Sequence, residues 1–350
     1  MNSCDVIITG AGIIGVSLGL ELRQRGAKVL VLDRGEPGQE ASSAAAGMLA
    51  PGDPETPRAL QPLARESARM FPEYVGMLEG LSGMQVDFRR HGTIALLDPS
   101  SAAATPPEYT RLSADDLRRL EPHIQNHAGS AFFIQEDTVD PRLLMRAVIS
   151  AARNRGVEIR ANTEVHEIRS SSNEIEMVTS AGVFTAGIAV NCRGAWSGAP
   201  VKPRKGQMLY LQPAQQGLLQ HVVHAPDLYI VPRSTGKILI GATVEDVGFD
   251  KSVAPATLQG LRRTAAKYLP ELEPAPIIES WAGLRPGTPD NLPILGPTET
   301  PRVFVASGHF RNGILLAPIT AWIMADLVTG KAPSMDISAF AISRFAPART

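Results

Sequence analysis

Three short stretches of the sequence hold residue types whose spacing suits chemistry. The first is Gly10-Ala11-Gly12-Ile13-Ile14-Gly15, directly after the strand-like run DVIIT at 5–9 and ahead of a helix-like segment. In that context Gly10 permits a tight turn, Gly12 lets the backbone approach a pyrophosphate, and Gly15 lets a helix pack closely on a strand. Asp33 ends the next apolar run, KVLVLD at 28–33, where a carboxylate can accept from the ribose hydroxyls of an adenosine and disfavours NADP. The second stretch, EASSAAAGMLAP at 40–51, is a row of small residues. It suits either a surface lying flat against a large planar ring or a buried small-residue packing site. The third, GHFRNGILLAP at 308–318, sets Arg311 among glycines and apolar residues. By themselves Arg311, and Arg285 in GLRPGT, read as surface or ion-pair residues, and Tyr229 in LYIVPR reads as a sheet-face aromatic.

Such residues need elements to bring them together. The opening 5–33 reads strand, glycine turn, helix, strand, which is a βαβ unit. Residues 54–79 show one apolar helix face, with Pro62 and Pro72 expected to end or kink pieces of it. Strand-like 86–98 follows, then a Pro- and Ser-rich surface loop at 99–107, a short helix capped by Ser113, and extended 129–140. Pro141 to Gly156 reads as a helix with proline in its first turn and glycine at its end. Alternating segments fill 157–190. From 204 to 244 the pattern is antiparallel, with RSTGK at 233–237 as a hairpin turn, followed by a helix at about 255–269. The end reads as a strand into the glycine turn, then a helix from near Gly313 closed by Gly330. A nucleotide-binding α/β half is thus written in three pieces (1–82, 139–200, 281–350) and an antiparallel half in two (83–138, 201–280).

Composition limits the functions available. With 350 residues, 44% of them apolar and a formal charge of -1, the chain has room for two packed domains and lacks the basic footprint of nucleic-acid binding. Cys4 and Cys192 are its only cysteines, in no metal-ligand spacing, so neither a disulfide framework nor a metal site is expected and a reducing, cytoplasmic setting is. The N-terminus lacks a basic region ahead of an apolar stretch, and no apolar run approaches the ~20 residues of a membrane span, so no integral membrane segment is expected.

In order and separation, SSAAAGMLAP, YIVPR, GLRPGT and GHFRNGILLAP resemble the D-amino-acid oxidase family of FAD-dependent oxidoreductases, and within it the glycine-oxidising branch that serves thiazole formation in thiamine synthesis. The resemblance spans 5 to about 330. It implies a Rossmann-like flavin domain of the glutathione-reductase type beside an antiparallel substrate domain, and a non-covalent FAD. It implies that Gly10, Gly12, Ile14, Gly15, Asp33 and Arg34 hold the ADP part, that Val165 contacts the adenine side, and that Ser42, Ser43, Ala45, Ala46, Gly47 and Met48 line the isoalloxazine. Gly308, Gly313 and Ile314 complete the flavin contacts, the helix N-terminus near Gly313 facing the N1 and C2 edge where reduced flavin gathers negative charge. Arg285, Tyr229 and Arg311 take the substrate carboxylate. His309, beside Arg311, is expected to be structural, because hydride transfer from a neutral amine needs no base. The implied partners are a small amino acid or amine and dioxygen, with a homo-oligomer as a further expectation. The same fold and clamp would serve a quinone-linked D-amino-acid dehydrogenase, or a partner-dependent subunit of an amine-oxidising complex. Two features depart from the family pattern: Asp33 stands where many relatives carry glutamate, and the stretch between GAWSG and RKGQML is shorter, which bears on substrate size or oligomer contacts.

Overall fold

The structure, a computed structural model, describes residues 3–98, 105–125, 129–171, 173–198 and 200–346. Most of the expected loop at 99–107 therefore lies outside the described residues. The βαβ opening folds as strand Ser3–Thr9, helix Ile13–Gln24 and strand Val29–Leu32. Both strands are apolar on each face because the sheet is covered on both sides, as parallel strands require. The helix is buried on nearly every side, from Ile13 to Leu20, since it lies between this sheet and the helices Pro141–Asn154 and Ala317–Val328. Glu158–Arg160 extends the sheet in parallel beyond Val29–Leu32, and Gly182–Asn191 pairs in parallel with Ser3–Thr9 on the other side. The C-terminal part of Gly182–Asn191 also pairs in parallel with Val303–Ser307. The turns after Ser3–Thr9 and Val303–Ser307 therefore open at one end of the sheet, where ligands of parallel α/β sheets bind.

The second sheet runs Ile277–Gly287, Lys202–Leu211, Ile238–Gly241, Leu228–Pro232, Val222–Ala225, Thr93–Leu97, Ser130–Ile134, Thr110–Leu112. Its pairs are antiparallel except for Val222–Ala225 against Thr93–Leu97, which is parallel. RSTGK is the turn between Leu228–Pro232 and Ile238–Gly241, as its sequence indicates. A small sheet of Met48–Leu49, Asp137–Val139 and Phe88–Arg89 joins the two larger ones. The mixed α/β architecture is the one the sequence implied.

Two helices differ from expectation. Gln61–Ser82 is continuous: Pro62 sits in its first turn and Pro72 inside it. The buried stripe Leu63, Ala64, Ser67, Phe71, Tyr74, Val75 and Leu78 packs into the main core, and this tertiary burial outweighs the hydrogen bond that Pro72 cannot make. The last helix begins at Ala317, four positions after Gly313. Pro318 explains the shift, since proline fits the first helical turn but would break a helix already under way from Gly313. Among the described residues, no helix is long and apolar enough to cross a membrane.

Candidate functional site

One cavity of ≈ 500 Å³ runs from Asp33, Arg34 and Val165, past Gly10, Gly12 and Ile14, along Ala44 to Met48, and ends among Tyr229, Arg285 and Arg311. Its volume lies within the roughly 300–1,000 Å³ of cofactor-sized pockets. Each wall has a local cause. Gly10 has φ +99, and a Cβ there would lie 2.7 Å from the Cys192 carbonyl carbon, so the turn and its contact with the neighbouring strand both need glycine. A Cβ on Gly15 would run into the Gly10 carbonyl oxygen, which accounts for the close helix packing. Asp33 accepts from Ala11 N at 2.6 Å and from Gly35 N at 2.9 Å, which fixes its carboxylate at the cavity's nucleotide end. Arg34 lies over the Trp196 ring at 3.8 Å and pairs with Glu40 at 3.5 Å.

The row of small residues is neither a free surface nor a long helix. Ala41–Ala44 forms one turn, and the chain then bends through Gly47, φ +79, into Met48–Leu49. Ser42 Oγ accepts from Ile13 N at 2.9 Å, tying this turn to the start of the first helix. The carbonyls of the stretch are held from the second sheet: Trp281 Nε1 donates to Ala44 O at 3.1 Å, and Arg233 Nη2 donates to Ala46 O at 2.5 Å. Arg233 is 5% exposed and also donates to Val139 O at 3.1 Å and to Tyr210 Oη at 3.3 Å. Sequence reasoning gave Arg233 no role, although an arginine closing LYIVP, an otherwise apolar strand, was a visible signal.

At the far end, Arg285 is half-buried on Ile277–Gly287 and donates Nη1 to Thr243 O at 3.1 Å. The Tyr229 hydroxyl lies close enough to feel the Arg285 charge and donates to Met208 Sδ at 3.6 Å. Among the described residues Arg285 has no carboxylate partner. Arg311 does have one, Glu55. Burial pushes the Tyr229 phenol up, with Arg285 opposing, so it stays protonated and able to donate. Asp53 and His224 line this end as well, unforeseen from the sequence. Burial raises the Asp53 carboxyl while His224 and Arg311 oppose, and burial lowers His224 while Asp53 opposes.

Gly15, Ser43 and Gly308 lie outside the cavity wall; the other expected contact residues line it. Ser43 Oγ instead donates to Gly38 O at 2.5 Å, and Gly308, φ +76, serves the turn. With the helix starting at Ala317, the N–H groups facing the cavity belong to a separate turn, 313–316, closed by Leu316 N on Asn312 O at 2.8 Å. Such a turn leaves its leading N–H groups without intrahelical acceptors, so the electropositive edge survives on a shorter element. His309 also lines the cavity: it is 2% exposed, its Nε2 is 3.1 Å from Thr320 Oγ1, and burial lowers its pKa to about 3, which leaves it neutral. Cys192 lines the cavity beside the glycine turn, with burial holding its thiol well above the usual range.

A cradle of glycines, a fixed carboxylate at one end and flat small-residue walls at the other fits a dinucleotide carrying a large ring system. Residues 5–327 match the model of the family described as FAD dependent oxidoreductase. The chain belongs to this family. FAD is its cofactor, and Gly10, Gly12, Asp33, Ser42, Ala45, Ala46, Gly47 and Met48 line the cavity. A bifunctional protein ThiO/ThiG from Trichormus variabilis is 36% identical across 97% of the chain, which spans only 55% of that relative. The glycine oxidase of Geobacillus kaustophilus is 35% identical, covering 97% of both chains. A crystal structure of glycine oxidase from that organism superimposes with a TM-score of 0.93 at 33% identity, covering 99% of this chain and 100% of the other. A hydrogen cyanide synthase subunit HcnC from Pseudomonas aeruginosa is 33% identical over 98% of the chain and 96% of its own.

Proposed function

We propose that the chain oxidises glycine, and with it sarcosine and small D-amino acids, to the imine, which water hydrolyses to the oxo acid with release of ammonia, or of methylamine from sarcosine. Dioxygen is reduced to hydrogen peroxide, and the imine is drawn on for thiazole formation in thiamine synthesis. One observation carries the reading: Arg285, without a carboxylate partner among the described residues, lies beside a protonated Tyr229 in the cavity that holds the glycine turn and the small-residue wall. A planar guanidinium and a phenol donor together suit an amino-acid carboxylate. Bound FAD supplies the acceptor for the substrate's two electrons and passes them on. The chain's own part is positioning: Arg285 and Tyr229 fix the carboxylate, Arg311 joins them by exchanging Glu55 for substrate, and the 42–48 backbone fixes the ring. The clamped carboxylate and the reacting C–H fix two of the four directions at the α-carbon, and with the amine taking a third a single direction is left for a side chain, which gives strong handedness and weak size selection. Buried His309 and Cys192 take no part, and the FAD is held without a covalent bond. Two domains divided near 83–138 and 201–280, and a homo-oligomer, belong to the same proposal.

Peroxide release by the purified chain with glycine, sarcosine, D-alanine and L-alanine tests it. Glycine and D-alanine react and L-alanine does not. Faster turnover of L-alanine than of D-alanine contradicts the geometry. Activity only with a second subunit, or only with a quinone, favours the kind of complex to which the HcnC relative's name belongs, or a dehydrogenase.

A further inference from the structure

Glycine inside a central strand weakens it by roughly 0.5–1 kcal/mol and needs a reason. Gly206, inside Lys202–Leu211, has none in its backbone: its φ lies outside the left-handed region and any residue could adopt it. The reason is steric. A Cβ at 206 would fall within the Arg285 guanidinium, 2.6 Å from Cζ, where real carbon contacts need about 3.5–4.0 Å. Gly241 repeats the arrangement on the next strand, where a Cβ would lie 2.7 Å from both Cζ and Oη of Tyr229. Tyr229 and Gly241 are register partners across Leu228–Pro232 and Ile238–Gly241, so the ring leans over the glycine toward Met208 and Arg285. Gly206 in turn pairs with Gly283, whose own missing Cβ makes room for the Ala44 side chain on the flavin side.

Resting on the reading of Arg285 as the carboxylate clamp, we propose that Gly206 and Gly241 are positioning residues: absent side chains on two adjacent strands form seats for Arg285 and Tyr229 and so set where the substrate carboxylate binds. The obstructed atoms of Arg285 are the far end of a flexible side chain, so Gly206→Ala moves the guanidinium and not the sheet. Thr243 O, which holds Nη1, then loses its donor, and the fork no longer faces the cavity at its original height.

The test is a double-mutant cycle on FAD-loaded protein, with acetate as a non-reacting carboxylate and acetamide as its neutral counterpart, binding being read from perturbation of the flavin spectrum. Arg285→Ala weakens acetate by about thirtyfold or more and leaves acetamide nearly unchanged. Gly206→Ala alone weakens acetate by about tenfold, with normal FAD content, and in the Arg285→Ala background adds less than about twofold, because its effect passes through the guanidinium. Acetate binding by Gly206→Ala equal to the parent's, or the same loss in both backgrounds, overturns the seat. If Arg285→Ala binds acetate as the parent does, the clamp reading itself fails. Should Gly206→Ala lose FAD or fold poorly, the double variant decides: recovery with Arg285→Ala supports the seat, and no recovery overturns it.

Discussion

At the residue scale, the feature that most changes the account is the Arg311–Glu55 pair. The arginine is legible from GHFRNG, but its partner is not, because Glu55, which the sequence places in the helix-like 54–79 segment, lies in an irregular turn ahead of the helix that begins at Gln61. Exposed pairs contribute about 0.2–1 kcal/mol, so releasing Arg311 has a small, signed effect: Glu55→Gln lowers the KM for glycine about two- to fivefold with kcat little changed. A raised KM means that Glu55 helps to bind substrate and does not compete with it. Glu136 was equally invisible in FIQEDTVD, where it reads as an exposed strand-end charge. It is 7% exposed, and burial pushes its pKa from the usual 4.5 to about 7, with Asp53 and Asp137 adding to the rise and a hydrogen bond from Thr93 opposing it. The folded value is the raised one, so the stability Glu136 contributes is complete below its unfolded pKa and is lost as pH climbs through the folded one. The loss approaches about 3 kcal/mol. Glu136→Gln removes that dependence: melting temperatures of the parent fall relative to the variant between about pH 5 and pH 8. Parallel curves contradict the burial argument. His309, lowered to about 3, acts in the opposite direction and costs stability as acid is added below its ordinary value of 6.5.

At the element scale, the sequence was most informative where local chemistry sets the structure. The glycine turn, the Ser113 capping box and the RSTGK hairpin all form where their residues indicate. It misled where distant packing decides, as in the helix that continues through Pro72. The 42–48 stretch lies between these cases. Its small residues suggested a flat wall, but what holds the wall is Arg233, from a strand far away in sequence. Arg233→Ala leaves the carbonyls of Ala46 and Val139 without their donor and removes a buried cation 4.0 Å from Asp140. It is expected to cost about 3–5 kcal/mol of stability and to weaken FAD retention, both measurable by thermal melting with and without added FAD. If Arg233→Ala melts with the parent and keeps its flavin, the wall is held by other contacts.

At the scale of the whole molecule, a mixed sheet with a parallel centre and a largely antiparallel one meet at a single cavity. That cavity assembles residues from 10 to 314 that no local pattern joins. The two kinds of strand pattern were legible because each carries its own period: apolar runs bounded by glycine turns in one, alternating strands and a hairpin in the other. The proposed clamp rests on the motifs around Arg285 and Tyr229, since a lone arginine or tyrosine in a strand carries no period and no spacing. On the proposed function, an amino acid held by Arg285 reduces the flavin directly. Anaerobic mixing of the FAD-loaded protein with glycine tests this most directly. The account predicts that the oxidised-flavin absorbance bleaches to completion with glyoxylate and ammonia as products, and that in Arg285→Ala saturation is lost and the rate at low glycine falls by about a hundredfold or more. Flavin that stays oxidised in the parent, or that Arg285→Ala reduces as readily as the parent does, would contradict it.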